Sequence, residues 1–224
     1  MSTYGVLSRV AVQLPTDPPR GTSPEYLRHQ AVMSLFMSNP DARPLFRVMK
    51  ETAGLENLLV LGATQPVQTS SIETGVWVQR LESKPYAPAL HTGQLLDFSI
   101  AVNATGIVTQ PDGRKLRQDI WDIVFAGKPG AEVDRNHIYE QWLARQLVGG
   151  ADVLEARIAA RALVRVRRKP RAPSISFVRT ELSGSLSVDD PALLLQSIVC
   201  GIGRARAFGC GLLCLMPHGS LSRR

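Results

Sequence analysis

Residues 84–93, KPYAPALHTG, constrain the architecture more than any other stretch of the chain. The segment is rich in turn-forming residues and shows neither the alternation of a strand nor the three- and four-residue spacing of a helix, so it reads as a linker. Strands and helices are mixed on both sides of it, and 224 residues leave room for two small domains of about 100 residues each. The expectation is an α+β chain, with an N-terminal domain over 1–88 and a C-terminal domain over 89–224.

In the first half Val10, Val12 and Leu14 alternate with Arg9, Ala11 and Gln13, which predicts a strand over 7–14. After a break rich in Pro and Gly, Ser23 and Pro24 supply an N-cap and a first-turn proline for a helix over 24–37, stopped by Asn39, Pro40 and Asp41. Leu27, Ala31, Ser34 and Leu35 form its core stripe, while Tyr26, His29, Gln30 and Met33 share a neighbouring face. Further strands are predicted at 45–49, 58–61 and 75–81.

In the second half, residues 94–102 alternate cleanly and 110–113 supply a turn. Asp134 can cap a helix carrying Ile138, Trp142, Leu143 and Leu147, ended by Gly149 and Gly150. Residues 177–188 read as one or two strands. Asp190 and Pro191 open a helix that stops at Gly201, and an apolar strand follows at 212–216.

With 44% hydrophobic and 20% charged residues the chain has the composition of a folded protein, which excludes wholesale disorder. Lys and Arg number 26 against 19 Asp and Glu, a formal charge of +7 that favours polyanionic partners. The basic residues crowd between Arg157 and Arg179. From 161 to 171, Arg161, Arg165, Arg167, Lys169 and Arg171 take odd positions and Ala162, Val164 and Val166 even ones, with Leu163 and Arg168 as exceptions. A strand there would turn an apolar face inward and a basic face toward a phosphate backbone. Cys200, Cys210 and Cys214 have neither CxxC spacing nor a nearby His pair, so they read as reduced structural thiols. No run approaches the roughly 20 apolar residues of a membrane span, and no signal peptide opens the chain; a cytoplasmic protein without a membrane partner is expected.

A second phosphate-binding candidate lies near the end, in GIGRARAFGCGLL at 201–213. Gly201, Gly203, Gly209 and Gly211 would let backbone amides approach a phosphate closely, and Arg204 and Arg206 would add charge and forked donors. The segment is neither a Walker loop nor a dinucleotide fingerprint, which argues against a nucleotide cofactor. Asp and Glu are scattered, so no carboxylate cluster stands ready for Mg²⁺. RNA can be cut without metal, because its 2′-hydroxyl is a nucleophile that needs a base, an acid for the leaving oxygen and cations for the phosphorane-like charge. Of the four histidines, His91 lies in the linker, His137 in a helix's first turn and His218 in a polar tail. His29 shares a helix face with Tyr26 and is the candidate for general base or acid; Tyr26 would orient the nucleophile or donate to a phosphate oxygen.

Taken together, LSRV at 7–10, YLRHQ at 26–30, PYAPALHTGQLLDF at 85–98, YEQWLARQL at 139–147 and the glycine-rich segment make the chain resemble the CasE family, the CRISPR precursor-RNA endoribonucleases of Cascade complexes. The resemblance runs along essentially the whole chain. It implies two tandem ferredoxin-like (RRM-like) domains and recognition of a CRISPR repeat stem-loop. It implies one metal-independent cut leaving a 2′,3′-cyclic phosphate, a product crRNA that stays bound, other Cascade subunits as partners, and no cofactor. His29 matches the family's catalytic histidine, Tyr26 its helper tyrosine and Arg206 the basic residue of its loop. Arg161, Arg165, Arg167, Arg168 and Lys169, assigned to RNA by charge and alternation, join Gly203, Arg204, Arg206, Gly209 and Gly211 as the expected RNA-binding set. A non-catalytic RNA-binding subunit of a ribonucleoprotein is the alternative, and a DNA-binding protein a third reading.

Overall fold

The structure, a computed structural model, describes residues 4–18, 20–37, 43–52, 55–72, 75–127, 134–169 and 171–221. It divides into two compact units. One comprises Met1–Ala89, Val164–Phe177 and Ala205–Leu212, the other Leu90–Leu163, Val178–Arg204 and Leu213–Arg224.

The first unit is built from β1 (Val6–Gln13), α1 (Pro24–Ser34), β2 (Leu45–Thr52), β3 (Leu55–Gly62) and β4 (Trp77–Pro85). Its sheet has the order β2-β3-β1-β4 with antiparallel neighbours, the arrangement of a split βαβ fold. Period-two alternation sends Val6, Ser8, Val10 and Val12 of β1 inward. There Val10 and Val12 meet Leu58 and Val60 of β3 and, from α1 and the turn after it, Leu27, Ala31, Val32, Leu35 and Phe36. The connection from β3 to β4, where it is described, carries no helix; instead Ile72 and Val76 fill the core, and the Val67 amide donates to the Leu35 carbonyl at 2.7 Å.

Ser23 caps α1 as its sequence position implies, accepting from the Tyr26 amide, with Pro24 in the first turn. The helix ends at Ser34 rather than at 37, because the Leu35 and Phe36 amides bond back to Val32 and Met33 and tighten the last turn into a 3-10 form. Asn39, Pro40 and Asp41 lie outside the described residues. Two core positions differ from the expected stripe: Ser34 is only half-buried, and Arg28 is buried. Arg28 is tolerated there because Glu56 of β3, equally buried, accepts from its Nε and Nη2 at 2.6 Å each, a two-pronged pairing that satisfies both charges.

The second unit contains β5 (Leu95–Val102), a hairpin of β6 (Thr105–Thr109) and β7 (Lys115–Asp119), α2 (Ile120–Gly127), α3 (Arg135–Gln146), α4 (Pro191–Cys200) and β10 (Cys214–Pro217). Two long strands, β8 (Ala151–Val166) and β9 (Ile175–Val188), complete its sheet, though their facing ends, Val164–Phe177, group with the first unit. The order β10-β5-β9-β8 repeats the pattern of the first sheet, so two ferredoxin-like (RRM-like) folds stand in tandem. The β6–β7 hairpin and α2 are an insertion between the first strand and first helix of this second fold. Asp134 and Asp190 cap α3 and α4, accepting from Asn136 at 2.9 Å and from Ala192 at 2.7 Å. The stretch 177–188 is one strand, not two, and the polar run after the turn at 110–113 is strand β7. Lys84 and Pro85 of the expected linker finish β4. Within β9, Gly184 is obligatory: a Cβ there would lie 1.9 Å from the Glu155 carbonyl oxygen of β8.

Candidate nucleic-acid processing site

Of the expected site residues, Tyr26, His29, Arg167 and Arg168 are brought together at α1, whereas Arg161, Gly203 and Arg204 lie in the second unit. Ser23 exchanges hydrogen bonds with the basic segment: its amide donates to the Arg167 carbonyl at 3.0 Å and its hydroxyl accepts from the Arg167 amide at 3.2 Å. This holds the end of β8 against the cap of α1. Arg168 consequently stands with its guanidinium 5.9 Å from the centre of the Tyr26 ring, within cation–π range. Arg165 is exposed and Val164 and Val166 are buried, so the alternation holds at the end of β8, but the strand stops at Val166, and exposed Arg167, Arg168 and Lys169 lie beyond it, not on a strand face as expected. Ala162, expected inward, is exposed.

His29 lies one turn after Tyr26, their ring centroids 6.2 Å apart, and its other side is covered by Phe208 at 5.6 Å. Phe208 in turn stacks on Phe177 at 6.0 Å with an interplanar angle of 24°. Burial holds the His29 imidazole below its ordinary value of 6.5, and a hydrogen bond donated to the backbone of Ala207 pushes weakly back. At neutral pH the ring is therefore uncharged and can accept a proton.

The glycine-rich stretch is shared between the units. Arg206, Ala207 and Phe208 form a single 3-10 turn in the first unit, with Arg206 exposed. Gly209 at φ 81° lets the chain lie on the Phe46 ring, which a Cβ would meet at 3.2 Å. Gly211, at φ 90°, is buried. Gly203 and Arg204 belong to the second unit, where Gly203 at φ 76° packs on Trp142 and exposed Arg204 forms an isolated bridge with Asn103.

Arg161 stands apart from the other basic candidates. Its guanidinium reaches the Tyr139 hydroxyl at 3.2 Å, Asp119 at 3.4 Å and Asp122 at 3.8 Å, so its charge is largely committed inside the second unit. Tyr139 donates to Asp119 and accepts from Thr180, and burial pushes its hydroxyl pKa up. The remaining histidines are engaged elsewhere: His137 with Gln141 at 2.8 Å, His218 with buried Asp97 at 3.0 Å, and His91 through its backbone with Gln94. Among the described residues no three His, Cys, Asp or Glu side chains converge as a metal site, and no helix is long and apolar enough to cross a membrane. Phe208, whose ring packs beside His29, and Phe177, which stacks on Phe208, were not singled out by sequence reading; lone aromatics in a strand and a loop carry no periodic signal.

Two ferredoxin-like folds in one chain, with His29, Tyr26 and the Arg168 guanidinium brought together at α1, define a tandem RRM-like protein. The sequence profile of a family described as CRISPR associated protein matches residues 7–217. The chain belongs to that family and is a CasE family protein. It is 28% identical over 195 residues to the CRISPR system Cascade subunit CasE of Escherichia coli K12, covering 86% of this chain and 92% of that one. With the CRISPR-associated endoribonuclease Cse3 of Thermus thermophilus it shares 29% over 180 residues, 75% of this chain and 78% of the other. The solved structure of Thermus thermophilus Cse3 bound to an RNA representing a pre-cleavage complex has the same fold, with a TM-score of 0.68 at 21% identity over 96% of this chain and all of that one.

Proposed function

We propose that the protein is a cytoplasmic, metal-independent endoribonuclease that cuts CRISPR repeat hairpins in precursor crRNA, leaves a 2′,3′-cyclic phosphate and keeps the crRNA as a Cascade subunit. Relatives named as a Cascade subunit and as an endoribonuclease support the reading. The observation that carries it on this chain is the uncharged His29 held beside Tyr26 and the exposed arginines of the first unit. Residues 1–88 supply the catalytic helix, and residues 89–224 the basic strand and glycine-rich loop.

The imidazole of His29 takes the proton of the 2′-hydroxyl, whose oxygen attacks the adjacent phosphorus as the bond to the 5′-oxygen breaks; the leaving 5′-oxygen takes a proton from water, and the imidazolium returns its own to solvent. The Tyr26 hydroxyl donates to a non-bridging phosphate oxygen, and Arg206 and Arg168 offset the charge that builds on the phosphorane. Arg165, Arg167, Lys169 and Arg204 hold the hairpin backbone, with Gly203, Gly209 and Gly211 shaping the loop so that it can approach the RNA. Arg161, already paired with Asp119, contributes by fixing β8.

The test is single-turnover cleavage of labelled repeat RNA in EDTA. The full chain should yield a cyclic-phosphate product. His29→Ala should lose about 10²–10⁴-fold in rate while binding the hairpin nearly as well. RNA that is bound but left intact by the wild-type chain would favour a non-catalytic RNA-binding subunit.

A further inference from the structure

The glycine-rich turn has a feature that phosphate binding does not require. Its three residues are bracketed by two left-handed positions, Ala205 at φ 54° and Gly209 at φ 81°. Glycine is at ease there, but alanine costs conformational energy, so the surrounding structure must impose the shape. The Phe208 amide closes the turn on the Ala205 carbonyl at 2.8 Å. In a 3-10 turn successive side chains leave about 120° apart, so Arg206 and Phe208 point differently: Arg206 is exposed, whereas Phe208 is half-buried against His29. Phe177 backs Phe208 from the other side, and Gly209 seats the turn on the core ring of Phe46. A loop built only to bind phosphate would need neither the phenyl ring nor its backing.

We propose that Phe208 and the Ala207 carbonyl are positioning groups for His29: ring packing fixes the plane of the imidazole, and the carbonyl fixes its tautomer, leaving the second nitrogen as the acceptor. This rests on the endoribonuclease reading for its purpose but not for its geometry. A neutral imidazole exists as two tautomers, only one of which presents a lone pair at a given nitrogen. The carbonyl of Ala207 selects the form with N–H toward the protein. On the packed elements, Tyr26 lies one turn before His29, the Arg168 guanidinium stands over the Tyr26 ring, and Arg206 opens the 3-10 turn that carries Phe208.

The experiment is nitrogen-15 NMR of the histidine side chains in the RNA-free full chain, as a function of pH, for wild type, Phe208→Leu and Phe208→Tyr. In the wild type His29 should titrate below 6.5 and show one dominant tautomer. Phe208→Leu should move the titration up toward 6.5 and populate both tautomers; Phe208→Tyr should rescue both signals. Cleavage in EDTA by Phe208→Leu should fall about 100-fold with little change in hairpin affinity, as expected when a reacting group is misplaced. An unchanged titration and tautomer in Phe208→Leu overturns the proposal. Should that variant not fold, Phe177→Leu decides instead, with a smaller shift in the same direction expected and no shift overturning it. Because the spectra are recorded without RNA, a wild-type chain that fails to cut would count against the endoribonuclease reading and leave the positioning result standing.

Discussion

Protonating His29 puts a charge into a half-buried setting, so the folded protein binds that proton less readily than the unfolded chain does. The sign follows: with the folded value below the unfolded 6.5, stability is unaffected above that pH and declines as pH falls through 6.5 toward the depressed value. Urea midpoints at pH 7.5 and 5 should therefore fall further apart for the wild type than for His29→Gln, and equal differences would mean that the ring is not desolvated. A second single-residue effect belongs to Arg28. Its pair with Glu56 is buried on both sides, so Glu56→Ala leaves a cation without that partner and should cost about 3–5 kcal/mol in a denaturant titration. Replacing both residues together by apolar side chains should cost much less. Sequence spacing did not single out Arg28 and could not supply Glu56, which reaches it only because β3 lies under α1.

At the level of elements, the parts whose signals are local were legible. Ser23, Asp134 and Asp190 each accept from an amide two or three residues on, as their positions before apolar-periodic stretches imply, and β1, β5 and α3 lie within a residue or two of their expected bounds. The insertion of β6, β7 and α2 was not legible. Residues 115–118 of β7 are exposed, so no apolar alternation marks it, and its partner β6 is only five residues long. The length of β8 was hidden likewise, since exposed residues at 157 and 159–163 on both faces break the period. Where two strands approach most closely the constraint becomes steric. Gly184→Ala would drive a methyl into the Glu155 carbonyl, and the strand must yield; a loss of about 1–3 kcal/mol is expected in chemical denaturation. Asp190→Ala, which removes one cap, should cost about 1 kcal/mol.

For the molecule as a whole, the amino-acid sequence carries the charge of +7 and the pattern of tandem α+β folds openly, but not which basic residues are available to RNA. Alternation treats Arg161 and Arg165 as equivalent positions of one strand. The fold separates them, because Asp119 comes from β7, a distant element, to claim Arg161, whereas the cap of α1 turns the neighbouring Arg168 toward Tyr26. The face proposed as catalytic was similarly half visible: Tyr26 and His29 share a helix by spacing alone, but Phe208 and the Ala207 carbonyl come from a segment far along the sequence. Salt dependence distinguishes the two kinds of arginine. Each phosphate contact contributes about −0.7 to −0.9 to the slope of log affinity against log salt, since a condensed counterion is released per contact. Arg168→Ala should make the slope for hairpin binding shallower by about one such contact, with the denaturation midpoint nearly unchanged. Arg161→Ala should do the reverse, leaving the slope as it is and lowering the midpoint, because what it loses is the Asp119 and Tyr139 network. A shallower slope for Arg161→Ala, with stability intact, would return that residue to the RNA-binding surface.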